Sequence, residues 1–169
     1  PVMENIGICM PLPGYLQAVR DITRRYGTML IFDEVKTGIT AGWGGATGAV
    51  GVTPDLVALA KSIGGGLPLG AFGGTRECMD QITNGRVLHL GTYNGNPLCM
   101  AVGKAVLSEV CTPEATSATI ARNRLLLDAC DGVIADAGLP AHTVQFGAKG
   151  CVTWSDRKST RLNSSHVAL

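Results

Sequence analysis

Residues 56–74, LVALAKSIGGGLPLGAFGG, set a single charged side chain, Lys61, in an otherwise apolar and glycine-rich run. Burying an amine is costly unless it is paired or neutral. LVALA (56–60) is a short apolar run that reads as a strand ending at Lys61, and GAFGG (70–74) reads as another. Two readings of Lys61 stand on these residues alone. Its stem could be buried while its head reaches water. Alternatively, desolvation could favour the neutral, nucleophilic amine that a Schiff-base lysine requires. The glycines that follow read as a turn that lets backbone pass close to a ligand.

Upstream, TMLIF (28–32) is an unbroken apolar run of the kind found in a buried parallel strand, and Asp33 and Glu34 follow it at once. Ligands of open α/β sheets bind outside the carboxyl ends of the strands. Asp33 lies 28 residues before Lys61, at the end of a different strand, so both side chains can converge on one sheet edge. A nitrogen heterocycle between them would have its ring nitrogen kept protonated by Asp33 while its aldehyde carbon reached Lys61. That is the arrangement pyridoxal phosphate needs to act as an electron sink. The alternative for Asp33 is a helix or turn cap.

The rest of the chain alternates strands with helices, which argues for an α/β fold. In residues 11–26, Leu12, Tyr15, Leu16, Val19 and Ile22 recur at helical spacing and Gly27 closes the helix. Residues 38–52, with Trp43 and many glycines, read as a loop. Arg76 to Ile82 reads as a short helix, and Pro97 to Val110 as another with proline in its first turn. Residues 114–137 form a long helical pattern closed by Gly138. HTVQF (142–146) and CVTW (151–154) alternate like strands around a turn at Gly147 to Gly150.

Composition narrows the function classes. Net charge is +1 and charged residues are 16% of 169, which gives no electrostatic case for nucleic acid or a membrane surface. No apolar run approaches the roughly 20 residues that span a bilayer, so a cytoplasmic protein with a small-molecule partner or another copy of itself is expected. The six cysteines are scattered, without metal-ligand spacing, and read as reduced, mostly buried apolar residues. GGATGAVG (44–51) lacks the surroundings of a dinucleotide or phosphate loop. His89 reads as a loop or interface residue, and the pair Arg24 and Arg25 as a solvated helix face.

IFDEVKTG (31–38), LAKSIGGGLPLGAFGG (59–74) and GTYNGNPL (91–98), in this order, resemble the class III (subgroup II) pyridoxal-phosphate-dependent aminotransferases, with phrasing most similar to the aminomutase branch. The resemblance covers residues 1 to about 155 and implies the type I, aspartate-aminotransferase-like fold. It further implies that Lys61 forms the Schiff base with pyridoxal 5'-phosphate, that Asp33 salt-bridges the pyridine nitrogen, and that Val35 packs on the ring. Thr92 and the Gly91 amide would reach the cofactor phosphate of a neighbouring subunit in a homodimer. The implied activity is an amino shift within an amino-aldehyde, with a transaminase using a separate acceptor and an amino-acid racemase as alternatives. Ile39 and Thr40 stand where many relatives carry an aromatic and an arginine.

The resemblance also implies a domain plan. Residues 1–111 would be the C-terminal part of the cofactor-binding large domain, and 112–155 the start of the small C-terminal domain. DRKSTRLNSSH (156–166) resembles a translated sequencing adapter, so 156–169 would be a non-native tail. With Pro1 in place of a methionine, the sequence reads as an internal fragment, unable by itself to close the implied site. The main phosphate cup would precede Pro1.

Overall fold

The computed structural model describes residues 1–154, so the expected tail at 156–169 lies outside the described residues. Three strands form the sheet that carries Lys61, in the order β1 (Ile31–Asp33), β2 (Leu56–Leu59), β3 (Ala71–Gly74). β1 and β2 are parallel with Asp33 opposite Ala58, whereas β3 runs antiparallel to β2 with Ala71 opposite Leu59. The α/β expectation therefore holds, on a mixed sheet.

A parallel pair needs a crossover connection, and that requirement corrects the expected loop at 38–52. It contains two short helices, α2 (Thr37–Thr40) and α3 (Gly45–Val50). Glycine's poor helix propensity hid them from the sequence reading; tertiary hydrogen bonds donated to Glu34 override it. β1 also begins later than TMLIF suggests, because the Leu30 carbonyl accepts from the Asp55 and Leu56 amides just ahead of the strand ladder. Only Phe32 of β1 is buried, while Ile31 and Asp33 are exposed. The expected buried strand is thus covered on one face only by the described residues.

α1 (Tyr15–Arg25) starts later than residue 11, after Gly14 turns the chain with φ 81°. Its inward residue is Arg20, 4% exposed, whose Nη1 donates to Asp55 Oδ2 at 2.8 Å. The Leu30 amide donates to the same oxygen at 2.7 Å. That amide does most to hold the Asp55 carboxyl below its ordinary value; partial burial opposes it, and Arg20 lowers it further. A depressed carboxyl contributes stability that is present above its unfolded value and lost as pH falls through the folded one. Asp55→Asn should therefore cost about 1–2 kcal/mol at neutral pH. The cost, read as urea midpoints, should shrink below about pH 4.

α4 (Arg76–Thr83) follows β3, and α5 (Pro97–Ala105) follows a turn-rich segment. The expected helix to residue 110 changes pitch at its end, where Val106–Val110 form a wider π turn. α6 (Pro113–Asp136) is capped by Thr112, which accepts from the Ala115 amide. β4 (His142–Phe146) and β5 (Lys149–Thr153) form a hairpin around Gly147 and Ala148, so the turn is shorter than the expected Gly147 to Gly150. Asp131 of α6 accepts from the Thr143 amide and hydroxyl, fastening helix to hairpin.

Val2, Ala41, Ala46 and Phe146 pack into one buried cluster with Ile8 against it. That cluster joins the first residues, the α2–α3 crossover and the C-terminal hairpin. The six cysteines are free and half-buried, not the mostly buried residues expected. Among the described residues, no helix is long and apolar enough to cross a membrane.

Candidate functional site

The parallel register sets the site. Asp33 is opposite Ala58, and the Glu34 amide extends the ladder by donating to the Ala58 carbonyl at 2.9 Å. Adjacent strands lie about 4.8 Å apart, and β2 ends at Leu59. Ala60 remains extended, and the chain then turns at Lys61 on the same edge that Asp33 closes. Both side chains are exposed there. The expected burial of Lys61 is thus corrected: the strand that carries it is half-buried, but it stops before the lysine, and the described residues leave that edge open.

Lys61 has φ 52°, the single positive φ among the described non-glycine residues. Left-handed backbone costs an L-residue on the order of 1–2 kcal/mol, and such strain persists only where the surroundings impose it. A 3-10 turn, Lys61–Gly64, imposes it: Ile63 is 3% exposed, and the Gly65 amide closes onto the Ser62 carbonyl at 3.1 Å. Gly65 has φ 56°, and a Cβ there would lie 2.7 Å from Val106 Cγ2. Gly65 therefore lets the backbone pass close to α5 and its π turn.

Asp33 Oδ1 accepts from the Val35 amide at 2.9 Å, so it does cap a turn. That bond uses one oxygen and leaves the carboxylate exposed at the sheet edge. Val35 is half-buried immediately after it.

Glu34 is the residue whose role sequence reasoning missed. It is 2% exposed and points away from the Asp33 side. Oε2 accepts from Thr37 Oγ1 at 3.0 Å and the Ala46 amide at 2.5 Å; Oε1 accepts from the Thr47 amide at 2.8 Å and its hydroxyl at 2.5 Å. The Ala46 and Thr47 amides of α3 are thereby occupied by a carboxylate of the same chain. Two signals could have found it: the period of two that puts adjacent strand residues on opposite faces, and the threonines at 37 and 47. All four partners donate, so Glu34→Gln must aim an amide N–H₂ at a donor. It should cost about 2–3 kcal/mol in chemical unfolding.

Gly91 and Thr92 lie elsewhere, in an exposed turn closed by the Asn94 amide on the Gly91 carbonyl at 3.0 Å. Among the described residues neither is bonded to Asp33 or Lys61. The amides at the start of α5 are met by Asn96, which accepts from Leu98 and Cys99 at 3.0 and 3.2 Å. The ordinary cap therefore accounts for α5, and an anion reading narrows to Gly91 and Thr92. His89 stands edge-on to Phe72, ring centroids 5.1 Å apart. It borders an apolar groove of about 910 Å³ with Leu69, Met79 and Cys99 that excludes Asp33 and Lys61.

Residues 1–130 match the Aminotransferase class-III family. The chain is 42% identical over 169 residues to glutamate-1-semialdehyde 2,1-aminomutase of Desulfosudis oleivorans, covering 99% of this chain and 40% of that protein. It spans at most about two fifths of the first curated relatives it matches. An omega-transaminase from Sphaerobacter thermophilus superposes with TM-score 0.86 at 36% identity, over 94% of this chain and 37% of that one. A glutamate-1-semialdehyde-aminomutase from Pseudomonas aeruginosa, solved in complex with PMP, superposes with TM-score 0.83 at 29% identity, over 92% of this chain and 36% of that one.

Proposed function

The chain belongs to the class-III aminotransferase family, and on that premise we propose that it carries the pyridoxal-phosphate edge of an enzyme that moves an amino group. The observation that carries this is the register: an exposed acid and an exposed amine end neighbouring parallel strands, and the amine is held at φ 52°. The residues fit the cofactor, because among the described residues no cation is paired with Asp33 and nothing ties down Lys61. Bound there, the cofactor supplies an electron sink for a carbanion. Lys61 would hold the cofactor through Nζ at its aldehyde carbon, with water leaving, and, once displaced by the substrate's amine, would be the base that moves the proton at the substrate carbon. Asp33 would hold a proton at the pyridine nitrogen, and Val35 would pack against the ring.

Gly91 and Thr92 would bind the cofactor phosphate of a second copy. Their turn is flanked by Leu88, Leu90 and Tyr93, 76%, 81% and 84% exposed, an apolar run suited to burial in a homodimer. Residues 1–111 are then part of the cofactor-binding domain, and 112–155 begin a smaller one. The substrate is a small amino acid or amino-aldehyde. Identity to the aminomutase across nearly the whole chain favours an intramolecular amino shift; the superposition on an omega-transaminase supports transfer to a separate acceptor as the second reading.

Titration with pyridoxal phosphate tests the assignment. A band near ~420 nm from the lysine-linked cofactor is expected. Its absence from this chain and also from a longer natural protein containing it would remove the cofactor from the reading.

A further inference from the structure

The carboxylate of Glu4 is 1% exposed, and Lys149 Nζ of β5 donates to its Oε2 at 2.9 Å. Its other oxygen, Oε1, is buried without a hydrogen-bond partner. Lys149 is the one ion-pair partner of this carboxylate among the described residues. The Glu4 carbonyl accepts from Lys36 Nζ at 3.0 Å, at the mouth of α2. One residue along from Lys149, the Ala148 amide donates to the Thr40 carbonyl at 2.7 Å. Gly147 has φ 59° and lies so close to Thr40 and Ala41 that no Cβ fits between them. On the other side of the segment, Gly38 lies against Leu59 at the end of β2, two residues before Lys61. Residues 36–41 are thus gripped between Glu4, the hairpin turn and the strand that delivers Lys61.

We propose that Glu4 and Lys149 are positioning residues: an ion pair between a buried carboxylate and a part-exposed lysine by which the C-terminal hairpin fixes the Lys36–Ala41 segment beside the Asp33–Lys61 edge. Its catalytic meaning rests on the function proposed above; its existence does not. A surface ion pair contributes little. Here the carboxylate is shut off from solvent by burial, so removing Lys149 leaves a buried charge without its ion-pair partner, and removing the carboxylate's charge as well relieves it. That sign pattern separates an ion-pair brace from side chains that merely fill space.

The experiment is amide hydrogen exchange on the whole chain in the presence of pyridoxal phosphate. Lys149→Met should accelerate exchange about tenfold at Ala41 and Ala148, while Thr75, whose amide bonds Asp55 far from the brace, stays unchanged. Lys149→Arg should match the wild type within about twofold, since it keeps the charge. Adding Glu4→Gln to Lys149→Met should recover most of the protection. Equal acceleration at Thr75, no acceleration at Ala41 and Ala148, or no recovery in the double variant overturns the brace. The induced circular dichroism of bound pyridoxal phosphate should also fall in Lys149→Met and return in Lys149→Arg. An unchanged signal would reduce the pair to a structural contact and overturn the positioning role. If neither the wild-type chain nor a longer natural protein containing it shows a bound-cofactor signal, the proposed function fails while the exchange pattern still decides the brace.

Discussion

Lys61→Ala is expected to abolish the absorbance band of the linked cofactor and to lower turnover by about a thousandfold or more, measured in the full-length protein that contains this sequence. The side chain is asked to do two things, covalent capture and proton movement, and each is worth orders of magnitude. Alanine at φ 52° keeps the backbone strain while removing the amine, so the loss reports chemistry and not relief of the turn. Lys61→Gly supplies the control. Glycine adopts that conformation freely, so this variant should gain up to about 1 kcal/mol in unfolding stability relative to Ala and yet remain inactive. If Lys61→Gly or Lys61→Ala retained the band, another amine would be the point of attachment.

Asp33→Asn is expected to leave the band in place and reduce turnover by about a hundredfold or more. The asparagine Oδ1 can still accept from the Val35 amide, so the turn after β1 survives. What disappears is the negative charge that favours a proton on the cofactor's ring nitrogen, and with it the electron-withdrawing power of the ring. The split between retained attachment and lost turnover is the signature. Equal turnover of the variant and the wild type would take Asp33 out of that role.

These two effects are large because the residues sit where neighbouring strands end, and that much was legible without coordinates. Apolar runs of four or five residues followed by acid or amine could be read as strand ends delivering chemistry. The order of α1, β2, β3, α4, α6 and the hairpin also followed from periodicity, glycine and proline. The resemblance carried by three motifs pointed to the family that the comparisons show. The readings that failed share a cause. The helices α2 and α3, the role of Glu34, the π turn after α5 and the exposure of Lys61 depend on partners distant in the chain or on cover from other elements, and neither leaves a local pattern.

Arg20 illustrates the point. It is buried on the inner side of α1 because Asp55, 35 residues later, meets it. Glu34 bonds amides 12 and 13 residues away, and Lys149 pairs with a carboxylate 145 residues away. The sequence by itself determined which local elements form and which reactive side chains end them, since propensity, capping and alternation act within a few residues. Only the tertiary structure decided that Asp33 pairs opposite Ala58, that Lys61 is held left-handed, and that the Ala46 and Thr47 amides of α3 belong to Glu34. Those outcomes come from register and long-range hydrogen bonds, whose energies exist only once the chain has folded back on itself.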